Sequence, residues 1–232
     1  INVFVSADNM VSRHVLVIGM TGSGKSVATK RIARELMHKD YPIFIVDPHG
    51  DYLGMVKQAQ KLFPKHKIKL FYPKISAPAN NKEVIFALIE KLGKNLTDPQ
   101  YDFLNWLLDN IAYEAGQNLT DYINILIQRA NTAAANKRNK SSTGLSGVGN
   151  TGATTMGVVA RSLRVVLSKL KKMEKDNREN MEKFPHLKFE ELPDSYSQPE
   201  NIIAKSQVSI LYLKGYESLP SSTIVSILLE NL

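Results

Sequence analysis

Gly19-Met20-Thr21-Gly22-Ser23-Gly24-Lys25-Ser26 matches the pattern G-x-x-x-x-G-K-[ST], and it constrains this chain more than any other feature. Gly22 and Gly24 let the backbone turn tightly enough for successive N–H groups to point inward at phosphate oxygens. A helix beginning near Lys25 directs its positive end at the same anion. Lys25 is placed to reach the β- and γ-phosphates, and the Ser26 hydroxyl to ligate Mg2+. Gly19, Thr21, Gly22, Ser23, Gly24, Lys25, Ser26 and Val27 are therefore the expected nucleotide contacts, with ATP and Mg2+ as cofactors. A glycine-rich turn arising by chance would lack the flanking pattern found here. His14 to Gly19 is a continuous apolar run that predicts a buried strand of a parallel sheet. Lys25 to Met37 has helical spacing, with Val27, Ile32 and Leu36 apolar and Lys30, Arg31, Arg34 and Glu35 polar.

Ile43-Phe44-Ile45-Val46-Asp47 predicts a second buried strand, broken by Pro48-His49-Gly50. Lys67 to Tyr72 alternates and predicts a third. A strand, a helix and another strand in this short span form a βαβ unit, so the sheet is expected to be parallel. From residue 81 the pattern turns helical, over 82–92, 99–114, 119–136 and 154–175, which is too much helix for one crossover. The expected organisation is therefore a core over 1–80, a helical insertion over 81–185 and a continuation of the core over 186–232. Within the last part, Gln207 to Leu213 reads as a strand and Ser221–Leu232 as a helix. The fold class is α/β: a three-layer, RecA-like P-loop core with a parallel sheet and an inserted helical subdomain.

Asp47-Pro48-His49-Gly50-Asp51-Tyr52 follows the second strand at its carboxyl end, the edge where parallel sheets bind ligands. Asp47 or Asp51 there could hold Mg2+-bound water or position the phosphate loop. The alternative is a plain strand-ending turn, since Asp, Pro and Gly are turn formers. The D-x-x-G shape of 47–50 also resembles a GTPase switch. The guanine-reading N/T-K-x-D motif is absent, however: Asn81-Lys82-Glu83-Val84 and Asn136-Lys137-Arg138-Asn139 both lack its aspartate. ATP is the expected nucleotide.

Ser12-Arg13-His14 leading into the first strand, then GMTGSGKS, then IFIVDPHGDY, resembles the HerA-like translocase ATPases of the FtsK–HerA branch. The helical insertion and the QVSILYLKGYESLPSSTIVSILLENL segment are similar to the ATPase core of that family. The resemblance implies a hexameric ring that spends ATP to move along double-stranded DNA. It also implies a partner such as a NurA nuclease in DNA-end processing, or a nuclease or sirtuin-like effector in phage defence. Members of the family usually carry an N-terminal β-barrel; none stands ahead of Ile1 here, where further sequence is expected. Its acidic Walker B strand, with the glutamate that activates water, is expected beyond Leu232, because no carboxylate follows Ile210-Leu211-Tyr212-Leu213. A reading of another class stays open: a regulatory or assembly ATPase that binds nucleotide without travelling on DNA.

The net charge of +8 favours a polyanionic partner or a solvated basic surface. No apolar run is long enough to span a bilayer. The absence of cysteine excludes disulfides, thiolate metal sites and thiol nucleophiles, and fits a cytoplasmic setting. The histidines at 14, 38, 49, 66 and 186 have no ligand spacing, so no structural metal is expected.

Between Lys137 and Lys175 stand nine Lys or Arg residues and one acid, Glu174. In the predicted helix Met156, Val159, Leu163, Val166, Leu170 and Met173 form one stripe. Arg161, Arg164, Lys171, Lys172 and Lys175 fall on the opposite side. That side is either a solvated face, a set of DNA phosphate contacts, or a source of an arginine (Arg161 or Arg164) for a neighbouring subunit's ATP. Gly144, Gly147, Gly149, Gly152 and Gly157 predict a mobile approach to this helix. Tyr101, Phe103 and Trp106 read as core rather than as a platform for bases.

Overall fold

The computed structural model describes residues 15–73, 82–112, 117–139, 151–192, 201–216 and 219. Its elements run α1 (Lys25–Met37), β1 (Ile43–Asp47), α2 (Leu53–Leu62), β2 (Lys67–Tyr72), α3 (Lys82–Leu92), α4 (Asp98–Asn110), α5 (Leu119–Arg138), α6 (Ala153–Glu182), β3 (Phe189–Glu191) and β4 (Gln207–Tyr212). The described residues fall into two compact units. One holds the residues up to Tyr72 together with 186–192 and 201–213; the other holds 73–185, 214–216 and 219. Residues 214–216 and 219 thus group with the helices, whereas the sequence pattern places them with the core.

The first unit is an α/β structure on a parallel sheet of order β1-β4-β2-β3. β4 lies between β1 and β2, pairing Ile43 with Val208 on one side and Ile68 with Val208 on the other. All six of its residues are buried, as a strand flanked on both edges and covered on both faces requires. Two of those six are polar, and both are satisfied. The Gln207 amide donates to the carbonyls of Asn201 (3.0 Å) and Ile202 (3.1 Å), and the Ser209 hydroxyl donates to Ile202 at 2.6 Å. The crossover β1–α2–β2 packs through Leu53, Met55, Val56 and Ala59, an amphipathic set that the sequence pattern alone does not single out.

The strand expected over His14 to Gly19 does not form: residues 15–19 carry no ladder, and His14 lies outside the described residues. Val15, Leu16 and Ile18 are 53%, 81% and 82% exposed. An apolar run becomes a buried strand only where neighbours complete its hydrogen bonds on both sides, and among the described residues none pairs with this one. The predicted 221–232 helix and most of the glycine-rich approach also lie outside the described residues.

The second unit is helical. Asn118 caps α5 by accepting from the Thr120 N–H at 2.9 Å, and Gln100 reaches back to the Thr97 N–H at the start of α4. α4 stops at Asn110, short of the predicted 114, with Ile111 already extended. α6 runs on to Glu182, past the predicted 175. Its stripe of Met156, Val159, Leu163, Val166, Leu170 and Met173 is buried; α6 packs on α5, whose Ile123, Leu126 and Ala130 are buried as well. Each such side chain contributes about 1.5–3 kcal/mol on burial, so this stripe holds the unit together. Phe103 is core as well. Tyr101 is 49% exposed, its ring stacked on Phe86 with 4.3 Å between centroids. Among the described residues no helix is long and apolar enough to cross a membrane.

Candidate functional site

The loop from Gly19 to Ser26 turns into α1 through two left-handed glycines, Gly22 at φ 82° and Gly24 at φ 87°. Any side chain at either position would strain the backbone. At Gly19 a Cβ would meet the Ser23 hydroxyl oxygen at 2.3 Å, so a larger residue there would make the Ser23 side chain turn away. The turn is closed by the Ser23 N–H donating to the Met20 carbonyl at 3.1 Å. Ala28 donates to the Gly24 carbonyl, so the helical ladder begins immediately after the loop and the first-turn N–H groups remain available to an anion. The Lys25 ammonium lies back over the loop, donating at 2.8 Å to the carbonyls of both Gly19 and Met20. Thr21, Ser23 and Val27 are exposed.

The DPHGDY turn stands against this loop. Asp47 ends β1 with a side chain only 1% exposed. Its carboxylate accepts from three backbone N–H groups, of Gly50 (2.8 Å), Asp51 (3.0 Å) and Tyr52 (2.9 Å). Its carbonyl accepts from Leu213 at 2.9 Å. With both oxygens committed to the turn, Asp47 acts as the peg on which 50–52 are wound. Gly50, at φ 81°, permits the winding. The result is that Asp51 faces α1: the Ser26 hydroxyl donates to its carboxylate at 3.1 Å. One turn further along, Thr29 and Tyr52 share a hydroxyl–hydroxyl bond of 2.7 Å, and the Lys30 ammonium sits 5.6 Å from the Tyr52 ring centroid. These contacts fix the phosphate loop's helix to the end of β1. The Thr29–Tyr52 link carries no motif and could not be read from the sequence.

The chain's phosphate-loop residues, Asp47 and Asp51 thus come together in the first unit. Arg161 and Arg164 belong to the second, on α6, with Lys171, Lys172 and Lys175; all five are exposed. Arg164 donates to Asn131 at 2.9 Å, and Lys175 lies 3.5 Å from Glu179. Glu174, beside this face, is half buried, and burial pushes its carboxyl above the usual range. Arg178 and Lys171 oppose that shift, and Asp121 adds to it. Burial also raises the Tyr216 phenol well above its ordinary value, with the Glu174 charge adding to the rise and Arg178 opposing it.

The family model described as "Helicase HerA, central domain" matches residues 1–232. The chain belongs to this family, within the FtsK–HerA superfamily. An uncharacterized protein of Aquifex aeolicus is 46% identical over 59 residues, 25% of this chain and 22% of that protein. The probable DNA double-strand break repair helicase HerA of Methanocaldococcus jannaschii is 32% identical over 76 residues, 33% of this chain and 14% of that protein. A probable helicase of the same organism is 45% identical over 117 residues, 49% of this chain and 20% of that protein. The chain therefore matches between 14% and 22% of the length of these curated relatives. No solved structure matches it significantly.

Proposed function

We propose that this chain is the nucleotide-binding part of an ATP-driven, HerA-type motor that moves on double-stranded DNA. The observation that carries the reading is the phosphate loop joined, through Ser26 and Asp51, to a turn at the carboxyl end of the parallel sheet. Membership of the HerA family supports the choice of a helicase-type ATPase.

The N–H groups of the loop and of the first turn of α1 bind phosphate oxygens. The Lys25 ammonium exchanges its carbonyl partners for the β- and γ-phosphates. The Ser26 hydroxyl and the Asp51 carboxylate form a hard oxygen pair of the kind Mg2+ selects. Ser26 would hold the ion directly, with Asp51 orienting the hydroxyl or a bound water. Mg2+ supplies neutralisation of the phosphate charge as it develops. Asp47 keeps Asp51 in position and so acts on the site at one remove. Six copies form a ring in which Arg161 or Arg164 approaches a neighbour's nucleotide and the rest of the α6 basic face follows the DNA backbone. A nuclease or sirtuin-like effector uses the motor in DNA-end processing or phage defence.

The test is ATP hydrolysis by the full-length protein with and without duplex DNA, for wild type and Lys25→Ala. DNA-stimulated turnover that disappears in the variant is expected. Turnover that is lost in the variant but indifferent to DNA would make the protein a regulatory or assembly ATPase.

A further inference from the structure

Outside the phosphate site, the first unit carries a groove of about 470 Å³ between α1 and α2. Its floor is apolar and well packed: Met37, Met55, Ala59 and Phe63 are all buried. Its rim is cationic, with Lys30, Arg31 and Arg34 spaced along one side of α1, and no acidic residue lines it among the described residues. Arg31 is held by Glu35 at 2.9 Å on the exposed side of the helix. Arg34 is different. Among the described residues its buried Nε has no hydrogen-bond partner, and Glu35 approaches the guanidinium only to 3.9 Å. The rest of the guanidinium stays open to an acceptor, since the side chain is 39% exposed. Leu62, 57% exposed, stands at the other wall as an apolar lip.

The geometry points to a docking groove for an acidic, amphipathic segment of a partner protein, which lays apolar side chains between Val27 and Leu62, over the Met37–Phe63 floor, and carboxylates against Arg34 and Lys30. Charge complementarity decides the sign of the partner, and the floor decides its class. A nucleic-acid backbone would satisfy the cations but would leave the exposed apolar side chains of the groove, Val27 (70% exposed) and Leu62, uncovered. A peptide with one apolar and one acidic face matches both halves of the groove. Arg suits a carboxylate better than Lys does, because its planar fork binds both oxygens.

The experiment uses the full-length protein and fluorescence anisotropy of a labelled helical peptide of about 16 residues, with leucines on one face and glutamates on the other. A counterpart with lysine in place of every glutamate is the charge control. The glutamate peptide is expected to bind saturably and the lysine peptide not to bind. The variant Arg34→Glu is expected to weaken the glutamate peptide severalfold to tenfold, as loss of a charge pair implies. Leu62→Asp, at a side chain already exposed, is expected to weaken it severalfold and so reports on the apolar half independently. ATP binding is measured on each variant to verify that the phosphate site is intact. Equal binding of the two peptides, or no binding of either by the wild type, overturns the proposal without any variant. So does an undiminished affinity in both variants. If Arg34→Glu leaves the peptide bound but weakens duplex DNA binding tenfold or more, the groove is a nucleic-acid contact and the peptide reading fails.

Discussion

The Ser26 hydroxyl donates a 3.1 Å hydrogen bond to the Asp51 carboxylate across 25 residues of sequence, joining the phosphate loop to the end of β1. The two side chains offer adjacent hard oxygens, so Asp51 rather than the fully committed Asp47 is the carboxylate that should set the response to Mg2+. Asp51→Asn keeps the size and an acceptor but removes the charge. Loss of one charged hydrogen-bond partner costs about 1–2 kcal/mol. The Mg2+ concentration for half-maximal ATP binding should rise roughly tenfold, while binding in the presence of a chelator stays the same. An unchanged Mg2+ titration by fluorescent-nucleotide binding would separate Asp51 from the metal.

Asp47 leads to a different expectation, one of stability. Its carboxylate satisfies three N–H groups at a position 1% exposed. Asp47→Ala leaves those donors unpaired, at a cost of about 3–5 kcal/mol. The melting temperature should fall on the order of 10 °C. A variant that melts like wild type yet loses turnover would give Asp47 a direct part in the chemistry.

Lys25→Ala removes the ammonium that spans the Gly19 and Met20 carbonyls. Charged hydrogen bonds to phosphate of about 1.5–3 kcal/mol are lost, so ATP affinity should fall at least tenfold and hydrolysis become undetectable. The loop itself is still held by the Ser23–Met20 bond, so the thermal melt should move little. Unchanged affinity and turnover would remove Lys25 from the site.

The parts of this arrangement that the sequence discloses are those with a local signal. The loop, α1, β1, β2 and β4 are legible because each is a short pattern with its own punctuation, glycines at one end and Pro48 or Pro73 at another. The α6 stripe is legible because six apolar residues at helical spacing need only one partner surface. His14 to Gly19 misleads because a buried-strand composition says nothing about whether a neighbouring strand is there to pair. α2 is hard to see because Leu53, Met55, Val56 and Ala59 follow directly on the DPHGDY turn and are diluted by Lys57, Gln58 and Gln60. β3 is three residues long and leaves no pattern to detect. The Ser26–Asp51 bond depends on how tightly Asp47 winds its own turn, which spacing alone does not encode.

In the second unit, Glu174 should make stability fall as pH rises through its titration. Burial lifts its folded-state value above the ordinary carboxylate range, so the folded protein holds this proton more tightly than the unfolded chain does. Its contribution is fully present below the unfolded value and is lost as pH rises through the raised one. Glu174→Gln removes the charge, so the variant should melt higher than wild type above that window and like wild type below it. Melting curves across the acidic range check this, and a difference that is the same at every pH would refute the assignment.

The last prediction concerns the basic face of α6 and separates a DNA motor from a regulatory ATPase. Arg161, Arg164, Lys171 and Lys172 are exposed, while the stripe on the other side of the helix is buried, so the face can be altered without disturbing the core. If it follows the DNA backbone, affinity depends little on base sequence and falls steeply with salt, because each neutralised phosphate releases counterions. A single subunit offers only a few such cations, but the proposed ring would repeat them around the duplex. Lys171→Glu/Lys172→Glu should therefore weaken binding to every DNA sequence alike and make the salt dependence shallower. ATP affinity should stay near wild type, since neither lysine belongs to the phosphate loop. Lys171 also helps hold the charge on Glu174, so Lys172→Glu alone is the control that keeps that environment intact. It should show the same change in slope at about half the size, because one cation rather than two has been reversed. The measurement is duplex binding by the full-length protein across a salt series. Identical affinity and slope in all three proteins would make this face solvated surface. A wild type that binds no DNA at any salt would rule out the motor and leave the regulatory ATPase as the better account.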